Sequence, residues 1–115
     1  MSYLDRIQLL RTYILEEPEN PFNYYALGLE IREKDPLGAV EMFDHVLEKF
    51  TNYLPVYFPS AHFFFELDEL EKAKEIFEKG INLALATKEE KALKELKNAY
   101  QNFLFETDQD WFFQN

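Results

Sequence analysis

The chain has 115 residues with three glycines, five prolines and no cysteine, and twelve basic against twenty-two acidic residues set its formal net charge at −10. That length suits one domain, and 47% hydrophobic residues, among them twelve phenylalanines and seven tyrosines, exclude a chain disordered throughout. Disulfides, thiolate zinc sites and thiol nucleophiles are excluded, and the acidic surplus opposes binding to nucleic acid or anionic membranes, whose affinity comes from lysine and arginine.

The apolar residues recur at helical spacing, and a proline or capping residue interrupts them about every 15 residues. The first helix is predicted from about Tyr3 to Glu17, with Leu4, Ile7, Leu10, Tyr13 and Ile14 on one stripe, stopping before Pro18. Asn20 caps the second, Pro21 lies in its first turn, and it ends near Lys34. Asp35 and Pro36 open a third that runs through Phe50. The fourth lies between about Pro55 and Glu66, where Pro59 either bends it or delays its start. Asp68 with Glu71 reads as a capping box for the fifth, through about Ala84, and Thr87 with Glu90 as another for the sixth. The sixth carries Ala92, Leu93, Leu96, Ala99, Tyr100, Phe103 and Leu104 on one face, with Glu90, Lys94, Lys91 and Glu95 on the solvent side.

The helices repeat. Ala39, Glu41, Phe43 and Leu47 return at one constant offset as Ala73, Glu75, Phe77 and Ile81, while Tyr24, Gly28 and Ile31 return as Tyr57, Ala61 and Phe64 at an offset shorter by one position. Two helical hairpins are therefore expected, the first one residue shorter at its turn. Tyr24, Leu27, Gly28 and Ile31 resemble the helix A pattern of the tetratricopeptide-repeat family. Ala39, Phe43 and Val46, then Ala73, Phe77 and Gly80, resemble its helix B. Thr51 and Leu85 stand where the family closes each repeat with proline. The chain is similar to small bacterial proteins of this kind. The resemblance implies an all-α fold, a right-handed α-α superhelix (a tetratricopeptide-repeat-like solenoid) of about six antiparallel helices. Residues 1–106 would form the domain, with repeats at about 21–52 and 54–86, capping helices at about 3–17 and 88–105, and a flexible acidic aromatic tail over 107–115.

The family lines a concave groove with its A helices and holds peptides there. In this sequence the corresponding second faces are Phe22, Tyr25, Leu29 and Arg32 on the second helix, and Phe58, His62 and Phe65 on the fourth. A helix apolar on more than one face must bury more than one face, so these are the candidate partner-binding residues, the alternative being that the sixth helix covers them. Some family members clamp a partner's terminal carboxylate with several cations. One arginine does not make such a clamp, so an apolar or basic segment is the expected ligand. Self-association as a homodimer about a two-fold axis is the simplest version, and a small acidic chaperone shielding an apolar client segment is the alternative.

No catalytic residues, cofactor or metal are expected. His45 and His62 are the only imidazoles, on different helices, and there is no glycine-rich phosphate loop. Asp108 and Asp110 lack the glycine and glutamate of a calcium loop. Trp111, Phe112 and Phe113 follow the last helical stripe, and end fraying or docking in a groove are both open to them. No run approaches the roughly 18 apolar residues of a membrane helix, and the N-terminus lacks a signal-peptide pattern. The expected address is the cytoplasm.

Overall fold

A computed structural model describes residues 1–107, and the tail residues Trp111, Phe112, Phe113, Asp108 and Asp110 lie outside them. The described residues form six α-helices, α1 (Tyr3–Glu16), α2 (Pro21–Ile31), α3 (Pro36–Lys49), α4 (Tyr57–Glu66), α5 (Leu70–Thr87) and α6 (Glu90–Glu106). A single 3₁₀ turn, Leu54–Val56, precedes α4, and no strand occurs among the described residues. The helices group into two compact units that divide between Val56 and Tyr57.

In the first unit α1 packs on α2, and α2 on α3. Ser2 caps α1 by accepting from the Asp5 N–H at 3.1 Å, and Asp5 completes a capping box. The inward stripe of α1 is Tyr3, Ile7, Leu10 and Ile14, all half-buried. Leu4 and Tyr13, expected on it, are exposed, while Ile7, Leu10 and Ile14 hold their predicted places and Tyr3 takes the place of Leu4. Its attachment is partly polar: Arg6 pairs with Glu30 on α2 at 2.6 Å, and the Lys34 ammonium sits 4.3 Å from the centre of the Tyr3 ring.

Asn20 accepts from the Phe22 N–H and Asp35 from the Gly38 N–H, so both asparagine- or aspartate-plus-proline starts cap as predicted. The turn after α2 begins at Arg32, and Lys34 lies within it rather than ending the helix. Leu27, Ala39, Phe43 and Val46 are buried between α2 and α3. The crossing is close at Gly28, where a Cβ would meet the Phe43 ring at 2.8 Å. Each fully buried side chain of this kind contributes roughly 1.5–3 kcal/mol.

In the second unit α4 packs on α5, and α6 packs on both. The helix α4 begins at Tyr57, and Pro59 falls in its first turn, where the missing N–H has no partner to lose. Of the two readings of Pro59, the delayed start holds. Here the crossing uses the other helix of the hairpin: Gly80 on α5 faces Tyr57 on α4, and its absent Cβ would lie 2.7 Å from the Tyr57 Cβ. Ala61, Phe64, Ala73 and Phe77 occupy the matching core positions and are buried. From Phe64 to the start of α5 is one residue more than from Ile31 to the start of α3, as the unequal repeat offsets require. Asp68, at φ 64°, turns the chain within that longer connection.

The two predicted capping boxes of this unit do not form. Helix α5 starts after Glu69 and α6 after Glu89, and neither has a side-chain cap. Thr87 instead donates its hydroxyl to the Leu83 carbonyl at 2.8 Å as part of α5, which runs past the predicted end at Ala84. Lys88 then adopts the left-handed conformation that ends α5, φ 59° and ψ 36°, and the Glu89 N–H reaches back to the Ala84 carbonyl. On α6, Leu96, Phe103 and Leu104 are buried, while Glu90, Lys91, Lys94 and Glu95 are exposed.

Candidate functional site

The second face of α2 is an aromatic edge of the first unit. Phe22 is 53% exposed, and its ring meets Tyr25 edge-on at 6.5 Å. Tyr25 is half-buried and meets Tyr53 edge-on at 5.8 Å, so a residue after α3 extends the face that α2 begins. Tyr53 was not among the sequence candidates, since it lies outside every helical stripe. The Tyr53 N–H donates to the Phe50 carbonyl at 2.9 Å, and that turn carries the ring back toward α2. Burial pushes both phenol groups up, with the Arg32 guanidinium opposing the shift at Tyr25 and the Tyr25 phenol adding to it at Tyr53. Leu29 is half-buried, and Arg32 is exposed where α2 ends, a favourable place for a cation.

The matching residues of α4 divide. Phe58 is 41% exposed, and His62 is exposed with its Nε2 3.1 Å from Glu66 Oε1. Phe65 is half-buried and lies edge-on to Phe103 of α6 at 5.1 Å. Phe103 also contacts Phe77 at 5.4 Å and Tyr100 at 6.2 Å, so the sixth helix supplies Phe65 with an aromatic neighbour within the second unit. The Tyr100 hydroxyl donates to Glu78 at 2.6 Å. Burial first, then this carboxylate, push its ionisation far above the ordinary tyrosine range.

His45 is occupied structurally. Its ring centre lies 4.2 Å from that of Tyr24 and 5.8 Å from that of Phe50, and the Tyr24 hydroxyl donates to the Pro18 carbonyl at 2.9 Å. Among the described residues no three histidine, aspartate or glutamate side chains converge as a metal-holding group. Nor is any of their helices long and apolar enough to cross a membrane.

No family model matches the sequence, and no curated protein does. Among solved structures it is similar to the solution NMR structure of a tetratricopeptide repeat domain protein from Salinibacter ruber. The TM-score is 0.69 at 28% identity, and the match covers 75% of this chain and 88% of that one. The likeness agrees with the features already described: helices packed as successive hairpins, a sequence pattern that recurs from one hairpin to the next, and one glycine at each hairpin crossing. The fold is all-α, of the α-α superhelix class, and resembles that of a tetratricopeptide repeat domain.

Proposed function

We propose that this chain is a non-catalytic protein-interaction module that binds polypeptide through exposed aromatic faces, the second face of α2 in the first unit and the second face of α4 in the second. On this reading the hairpins α2–α3 and α4–α5 are its two repeats, and α1 and α6 are the helices that flank them. The observation that carries the proposal is the exposure of Phe22 and Phe58 on those faces, with Tyr25 and Tyr53 extending the aromatic surface around Phe22. Large aromatic rings left in water beside one another gain most when a partner covers them. The non-catalytic reading is supported by the engagement of both histidines, His45 in an aromatic stack and His62 beside Glu66 on an open surface.

The test is to place a photo-reactive phenylalanine analogue at Phe22, at Phe58 and, as a control, at Leu37 on α3, which is 79% exposed. Illumination in the native cell should join a polypeptide to positions 22 and 58 and not to 37. Adducts at twice the chain's mass would identify the polypeptide as a second copy, and light scattering of the purified protein and of Tyr25→Glu would confirm it. If neither position gives an adduct above the Leu37 control, the interaction reading is wrong.

A further inference from the structure

The exposed aromatic edge that Phe22 and Tyr25 form is flanked by the loop between α1 and α2, which carries unpaired negative charge. Glu16, Glu17 and Glu19 are exposed, and none makes an ion pair within the described residues. They stand at the carboxyl end of α1, whose last turn has no basic residue. Unsatisfied carbonyls make that end of a helix negative, so a cation is stabilised there and three further anions are not. The loop is held in place by its own hydrogen bonds. The Glu17 N–H donates to the Tyr13 carbonyl at 2.7 Å, the Asn20 N–H to the Glu17 carbonyl at 3.0 Å, and the Tyr24 hydroxyl to the Pro18 carbonyl. Residues Glu16 through Pro21 line a shallow depression, and the next residue along is Phe22, edge-on to Tyr25.

We infer that this edge of the first unit docks a polypeptide segment presenting lysine or arginine beside an apolar or aromatic side chain. The inference rests on the interaction-module reading and names the chemistry of the partner. The cation answers Glu16, Glu17 and Glu19, and the apolar side chain covers Phe22 and Tyr25. A second copy of the chain suits this edge less well, because each copy carries a net charge of −10 and the two repel. An acidic segment would meet three like charges.

A random-peptide display selection on the intact chain tests this without presuming a sequence. Peptides with lysine or arginine next to aromatic or aliphatic residues should enrich. Their affinity should fall about tenfold in the triple variant Glu16→Gln, Glu17→Gln, Glu19→Gln, as the loss of a few exposed charge pairs predicts. It should fall similarly in wild type when ionic strength rises from about 0.05 M to about 0.5 M. The substitutions lie on exposed side chains, and circular dichroism would confirm that the variant remains helical. Enrichment of uncharged or acidic peptides, or equal binding by the triple variant, would overturn the basic-partner inference and leave the interaction module intact. Failure to enrich any peptide would overturn it as well, and the photocrosslinks at positions 22 and 58 would then decide separately whether the chain is an interaction module.

Discussion

The two hairpin crossings respond differently to a single added methyl group, and the difference is computable from the contacts. In Gly80→Ala the new Cβ would sit 2.7 Å from the Tyr57 Cβ, 3.2 Å from its Cγ and 3.3 Å from the Leu96 Cδ1. Carbon atoms settle at about 3.5–4.0 Å, so the helices α4 and α5 must part by roughly 1 Å. No rotamer change moves a Cβ, because it is fixed to the backbone. Overpacking costs about 1–3 kcal/mol, and this rigid geometry puts the cost near the top of that range. The better helix propensity of alanine returns about 1 kcal/mol. The net loss is about 2 kcal/mol, equivalent to about 8 °C in Tm for a chain of this size.

Gly28→Ala meets the edge of the Phe43 ring instead, at 2.8 Å from Cε1 and 3.1 Å from Cδ1 and Cζ. Shortening that ring therefore relieves the clash. Urea denaturation followed by far-UV circular dichroism would measure both pairs. Gly28→Ala with Phe43→Leu should be more stable than the sum of the single effects by about 1 kcal/mol, whereas Gly80→Ala with Tyr57→Leu, which keeps the offending Cβ, should be additive to within about 0.5 kcal/mol. A Gly80→Ala protein as stable as wild type, or a rescue of it by Tyr57→Leu, would refute the reasoning.

Phe103→Ala removes the ring shared by Phe65, Phe77 and Tyr100 from a site that is 1% exposed, and should lower stability in urea by about 3–5 kcal/mol. Tyr100 ionises higher in the folded chain than the ordinary value of 10.0, so the protonated phenol is the form that folding favours. Its contribution is complete below about pH 10 and is lost as pH rises from there toward the raised folded value. Tyr100→Phe should therefore flatten the alkaline fall in stability, seen as a smaller drop in Tm between about pH 9 and about pH 12. Lys88→Gly relieves a non-glycine residue of its left-handed conformation and should raise stability by up to about 1 kcal/mol in urea. Asp35→Ala deletes the hydrogen bond that caps α3 and should cost about 1 kcal/mol by the same measurement.

The legible parts of the fold were those written in local chemistry. Asn20–Pro21 and Asp35–Pro36 start helices because a capping oxygen and a fixed φ act within one turn, whatever packs later. The repeat was visible because Gly28, Ala61, Ala39 and Ala73 recur as small buried residues and Phe43 and Phe77 as large ones, with Gly28 leaving room for the Phe43 ring where α2 crosses α3. The same local rules failed at Asp68 and Thr87. There left-handed residues turn the chain, Asp68 before α5 and Lys88 after it, and α5 runs on past Ala84 to take in Thr87 as its last residue.

For the candidate site, the sequence determined which residues could share the faces of α2 and α4, since helical periodicity alone groups Phe22, Tyr25, Leu29 and Arg32, and Phe58, His62 and Phe65. Only the tertiary structure decided what each one meets. Phe65 faces Phe103, two helices further along the chain, and Tyr25 gains Tyr53 from a turn with no helical period. Leu4 lost its place on the inner stripe to Tyr3, because the register of α1 is set by what it packs on. Periodicity reports that a face is apolar through contacts a few residues apart. The identity of the surface that covers it depends on residues brought together by folding, and no local pattern encodes that pairing.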